Sequence, residues 1–123
     1  VVTELPGAQV LLALENAVSQ VEKGAGRFAQ VSGLTFTFDP SAEPGARVSE
    51  VMVAGAPLDV DKVYTVAVND YILGGGDGYA ALGGGKMRPE KGGHLMANDV
   101  MAYIEKMGKV KPAVEGRIKI LGN

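Results

Sequence analysis

Between Asn69 and Tyr79 the chain reads Asn-Asp-Tyr-Ile-Leu-Gly-Gly-Gly-Asp-Gly-Tyr, so that one carboxylate, Asp77, is set among four glycines and bracketed by the rings of Tyr71 and Tyr79. Glycine lets the backbone take positive φ or approach a ligand closely, at an entropic cost that an ordinary surface loop has little reason to carry. The run reads as a built site. A phosphate is a poor occupant, because an anion about 4 Å from the carboxylate is repelled by roughly 1 to 4 kcal/mol per charge pair. Neutral hydroxyl donors suit it better. Two adjacent ribose hydroxyls can each donate to one carboxylate oxygen, and the neighbouring aromatics can stack on a flat ring.

Other chemistries fail on spacing. The P-loop needs a glycine where Ala80 stands, and Gly85-Lys86 is followed by Met87 rather than Ser or Thr. Counted from Gly74 and Gly76, the third glycine of a dinucleotide fingerprint falls on Tyr79. A nucleophilic triad is not expected, since the one histidine, His94, lies in a Gly-rich stretch and no serine occupies a strand-to-helix elbow. Asp59-Val60-Asp61 is the one tight carboxylate pair, and Lys62-Val63 breaks the calcium-loop pattern, so a solvated turn is expected there and no metal centre.

The elements that must position the Gly-rich run follow from periodicity. Val10, Leu11, Leu14, Ala17, Val18 and Val21 recur at helical spacing, predicting an amphipathic helix over roughly 8–22 that Gly24 and Gly26 end. Leu34, Phe36 and Phe38 alternate with polar residues as a half-buried strand. Pro40 to Gly45 is a turn, Val48 to Val53 a second strand and hairpin partner, and Val63 to Val68 a third strand that delivers the chain to the glycines. Beyond them, Gly83-Gly84-Gly85-Lys86 and Gly92-Gly93 predict a loose surface excursion. Asn98 is the expected N-cap of a short helix striped by Val100, Tyr103, Ile104 and Met107 and closed by Gly108. Val114 to Leu121 is the expected final strand. This order predicts a single α+β domain with a mixed sheet and helices packed on it.

Each candidate also has a plainer reading. Tyr79 leads into Ala80-Ala81-Leu82 and is expected in the core, while Tyr71 is left open by spacing alone. Phe28, after Gly26-Arg27, would ordinarily anchor a loop; Phe36 and Phe38 are core residues, and Met96, Met101 and Met107 helix-face filler.

Composition sets outer bounds. At 123 residues one domain is expected, and a net charge of −2 offers no general attraction to nucleic-acid backbones or acidic membranes. No apolar run approaches the 18 residues of a membrane span, and with zero cysteines neither disulfides nor thiolate metal sites can form. The start at Val1-Val2-Thr3, without methionine or signal peptide, is what a mature or excised fragment would give.

Four segments carry a resemblance. Leu5 to Val18 (Leu-Pro-Gly-Ala-Gln-Val-Leu-Leu-Ala-Leu-Glu-Asn-Ala-Val), Gly26 to Leu34 (Gly-Arg-Phe-Ala-Gln-Val-Ser-Gly-Leu), Asn69 to Tyr79, and Pro112 to Ile118 (Pro-Ala-Val-Glu-Gly-Arg-Ile) resemble, in order and separation, the C-terminal domain of the 5′-nucleotidase family. That family includes UDP-sugar hydrolases, ecto-5′-nucleotidases and related bacterial phosphoesterases.

The resemblance implies a division of labour. An N-terminal metallophosphoesterase domain, absent from residues 1–123, would hold two divalent metal ions and hydrolyse the phosphate ester, and this domain would recognise the nucleoside. Phe28 and Tyr71 match the aromatics that sandwich the base; the second is usually phenylalanine, and the tyrosine keeps the stacking face while adding a hydroxyl. Asp77 matches the carboxylate that binds the ribose hydroxyls, with Gly75, Gly76 and Gly78 shaping its loop. The family's Gly-rich motif carrying asparagine and arginine would precede Val1, so this segment alone is expected to be catalytically silent and to need no cofactor. The resemblance also implies an extracytoplasmic location. Alternatives in the same superfamily are cyclic nucleotides, nucleotide sugars or a sulfur ester as substrate; from another class, a noncatalytic binding module on the same scaffold.

Overall fold

The structure, a computed structural model, describes residues 1–84, 86–87 and 94–122. Its strands divide between two sheets. The first has β1 (Val2–Pro6) at its centre, flanked by β5 (Val63–Ala67) and β6 (Lys86–Met87), both antiparallel to it. In the second, β2 (Leu34–Phe38) lies between β3 (Val48–Val53) and β7 (Ile118–Ile120), and β4 (Ala56–Pro57) extends the β3 edge. Among the described residues only the β2 and β7 pairing is parallel, so the expected α+β fold with a mixed sheet is present.

Helix α1 (Gly7–Val18) joins the two sheets. Its apolar face behaves as the spacing predicts: Val10, Leu14, Ala17 and Val18 are buried together with Leu5 of β1, Phe36 and Phe38 of β2, Val51 of β3, and Tyr79 and Leu82. The helix begins without a side-chain cap. Instead, the turn at residues 59–62 satisfies its first free N–H groups, Gly7 donating to the Lys62 carbonyl at 2.8 Å and Ala8 to that of Val60 at 3.0 Å. This approach requires glycine, because a Cβ at position 7 would stand 2.0 Å from the Asp59 carbonyl oxygen. Asp59 and Asp61 form the expected solvated turn, with Asp59 Oδ1 accepting from the Asp61 N–H at 2.9 Å.

Several expectations are corrected. Strand β1 was not legible from apolar pattern, because one of its two buried residues is Thr3. The stretch after Tyr79 is not wholly loose: residues 80–84 form a 3-10 turn and Lys86–Met87 pair with β1, while Gly85, Gly92 and Gly93 lie outside the described residues. Helix α3 (Met96–Met107) starts two residues before the expected cap, with Leu95 at the N-cap position and Asn98 inside the first turn. Its methionines 96, 101 and 107 are exposed, as are Val100, Tyr103 and Ile104. The helical period identified an apolar face there without identifying what covers it. The last strand is confined to Ile118–Ile120: Gly116 takes φ +71°, which ends extended pairing, and Val114 is fully exposed.

Candidate functional site

The Gly-rich run leaves β5 through a one-turn helix, α2 (Asp70–Leu73). Asn69 caps it, Oδ1 accepting from the Ile72 N–H at 2.9 Å, so this residue serves the backbone. The turn closes on Gly75 at φ +93°, and the chain then passes through Asp77 at φ +53° and Gly78 at φ +79°. Asp77 is thus a non-glycine residue in the left-handed region, one of the few types that visits it readily.

Gly76 has a different reason to be glycine. Its φ is not positive; a Cβ there would lie 2.5 Å from Cε1 and Cζ of Tyr71, because the tyrosine ring rests on this residue. Tyr71 is nevertheless 62% exposed, so its other face is open. Its hydroxyl lies 3.4 Å from Asp77 Oδ1, a long contact that leaves the carboxylate able to accept stronger donors. Among the described residues Asp77 forms no ion pair. In Gly76→Ala the ring must swing off the backbone. Because the obstructed group is an exposed side chain, we expect little change in melting temperature but about a 5-fold weaker grip on any ligand stacked on Tyr71, read by KM beside a thermal melt.

The Phe28 segment is tied to this loop. Arg27 Nη1 donates to Asn16 Oδ1 at 3.1 Å and reaches Ser19 Oγ at 3.4 Å, while Asn16 Nδ2 donates to the Asp77 carbonyl at 3.0 Å. From the other side, the buried Tyr79 hydroxyl donates to the Arg27 carbonyl at 2.5 Å. Burial first, and the Asp77 charge second, push the Tyr79 phenol above its ordinary pKa, which keeps the proton this bond needs. Phe28 itself is half-buried and meets Phe38 edge-on, ring centroids 6.0 Å apart at 62°, so it has a fixed seat against the core.

Tyr71, Gly75, Gly76, Asp77 and Gly78 therefore form one local unit, and Phe28 stands on a second segment stitched to the same end of α1. Tyr79 is core, as expected, but it also works as a latch. Sequence reasoning passed over Asn16, Arg27 and the Tyr79 hydroxyl. Their signal was faint: Asn16 lies off the apolar stripe of its helix, in a position that usually faces solvent. His94 is exposed and pairs with Asp99 at 3.2 Å. No group of three or more His, Cys, Asp or Glu that could hold a metal ion occurs among the described residues. What the site presents is a carboxylate acceptor and aromatic faces, the means of binding.

The profile of the family described as 5′-nucleotidase, C-terminal domain, matches residues 1–84. The chain belongs to that family. It is 38% identical over 124 aligned positions to the trifunctional nucleotide phosphoesterase protein YfkN of Bacillus subtilis, an alignment covering 96% of this chain and 8% of that protein. The 5′-nucleotidase precursor of Thermus thermophilus superposes with a TM-score of 0.93 at 42% identity, over 99% of this chain and 25% of that one. The sulfate thiohydrolase SoxB of the same organism superposes at 0.76 with 29% identity, over 99% of this chain and 22% of that one. This 5′-nucleotidase C-terminal domain thus spans a quarter or less of each of these three proteins. Among its described residues, no helix is long and apolar enough to cross a membrane.

Proposed function

We propose that this domain recognises the nucleoside of a nucleotide substrate for a phosphohydrolase whose bond-breaking groups lie elsewhere in the protein. Phe28 and Tyr71 take the base between them, and Asp77 accepts from the ribose hydroxyls, with Gly75, Gly76 and Gly78 holding the loop open. The observation that carries this reading is the Asp77 carboxylate: exposed, without an ion pair among the described residues, on a loop whose backbone requires glycine, and beside an exposed aromatic face.

Cleavage of the phosphate ester belongs, in this reading, to an N-terminal metallophosphoesterase domain with two divalent metal ions. Such an enzyme would act outside the cytoplasm, and the 123 residues alone would be inactive. Stacking supplies about 1 to 3 kcal/mol per base and a hydrogen bond to a charged group about 1.5 to 3. Set against the cost of association, these leave the isolated domain with about millimolar nucleoside affinity at best.

The test is Tyr71→Ala in the full-length protein. KM for a nucleoside 5′-phosphate should rise about 5- to 10-fold, the lower part of the stacking range because the ring is exposed, while KM for ribose 5-phosphate stays put. Equal rises would show that Tyr71 does not meet a base. The likeness to a sulfate thiohydrolase supports one competing substrate class, a sulfur ester. Turnover of such an ester in preference to every nucleotide in a panel would establish it.

A further inference from the structure

Asn16 sits where the two halves of the site meet. Its side-chain amide donates to the Asp77 carbonyl at 3.0 Å, and its Oδ1 accepts from Arg27, the residue before Phe28, at 3.1 Å. Partner chemistry settles which way the amide points, because a backbone carbonyl can only accept and a guanidinium can only donate. The packing is close: a Cβ on Gly78 would lie 2.8 Å from Asn16 Oδ1 and 3.1 Å from Arg27 Nη1. Gly78 is therefore glycine for two reasons, its positive φ and the room Asn16 and Arg27 occupy.

We propose that Asn16 is a positioning residue of the nucleoside site, holding the Asp77 loop and the Phe28 segment in one register through the opposite polarity of its two amide ends. The proposal rests on the nucleoside reading above and extends it to a side chain that would touch no part of the ligand. Asp77 bears its carboxylate on a backbone in the left-handed region. The Asn16 N–H is the side-chain hydrogen bond on that residue's carbonyl. Release of the carbonyl lets the loop relax, and the carboxylate leaves the place where a sugar would find it.

Asn16→Asp removes the donor and adds a negative charge beside Arg27. It keeps the shape of the side chain and its acceptor for Arg27, and replaces the N–H facing the Asp77 carbonyl by an oxygen. In the full-length protein the ratio of KM for a nucleoside 5′-phosphate to KM for an aryl phosphate should rise about 5- to 10-fold, as expected for one lost hydrogen bond. Amide hydrogen exchange at residues 75–79 should quicken at the same time. A wild-type KM ratio in Asn16→Asp, alongside a raised ratio in Asp77→Ala, would overturn the positioning role. So would a loss equal for both substrates with a lowered melting temperature, which marks general damage. Faster loop exchange in Asn16→Asp with an unchanged ratio in Asp77→Ala would support the anchor and reject the nucleoside reading instead.

Discussion

In the full-length protein, Asp77→Ala should raise KM for nucleoside 5′-phosphates roughly 10- to 100-fold while kcat changes little. The size follows from a hydrogen bond to a charged acceptor, about 1.5 to 3 kcal/mol, lost in ground state and transition state alike because the ribose lies away from the reacting bond. Uniform loss of that kind appears in KM. Two substrates sharpen the test. An aryl phosphate lacks the sugar and should keep its KM, and a 2′,3′-dideoxynucleotide lacks the hydroxyls and should bind wild type and variant alike. Should the dideoxynucleotide lose as much as the ribonucleotide, the carboxylate serves the loop and not the sugar. The melting temperature should hold, since Asp77 is exposed and its one side-chain partner among the described residues is the Tyr71 hydroxyl at 3.4 Å.

Much of this candidate site's geometry was legible in the sequence because it is local. Asp77, its glycines and Tyr71 occupy nine consecutive positions, 71–79 with Tyr79, and glycine density reports backbone conformation directly: Gly75 and Gly78 do take positive φ. Gly76 shows the limit of that reasoning. Its need for glycine comes from a ring five residues earlier in the chain, a contact no conformational argument supplies. The Arg27, Asn16 and Asp77 network was invisible for the same reason, since 61 residues separate Asn16 from the carbonyl it holds. Among the elements, β2 and β3 form where the sequence places them, but burial along them does not alternate: Thr37 is buried with Phe36 and Phe38, its hydroxyl donating to Glu50 at 3.1 Å, where the register with β3 shifts. Strand β1 was not so placed, because a buried threonine interrupts the apolar code, and its place at the centre of a sheet depends on pairing with residues 63–67.

Glu15 and Asn16 are neighbours in sequence and should separate cleanly in experiment. About 100° of helix rotation divides successive residues, and here it sends one toward the second sheet and the other toward the Asp77 loop. Glu15 is buried, and its two oxygens accept from the backbone N–H groups of Val48 at 2.8 Å and Arg47 at 3.1 Å, where β3 begins. Arg47 in turn donates to the Val18 carbonyl at 2.7 Å and pairs with Glu22 at 2.9 Å, so α1 and the start of β3 are joined through polar groups. Glu15→Ala strands both N–H donors and opens a cavity between helix and strand, for an expected loss of about 3 to 5 kcal/mol. In a domain of this size that lowers the melting temperature by about 12 to 20 °C. Glu15→Gln retains one acceptor oxygen and turns an NH₂ toward the other donor, so it should fall between wild type and alanine. At temperatures where Glu15→Ala stays folded, the KM ratio of nucleotide to aryl phosphate should match wild type, the reverse of Asn16→Asp. A shifted ratio in Glu15→Ala would mean that β3 and the Asp77 loop are coupled through α1, and that the helix carries the candidate site as a lever instead of a fixed post.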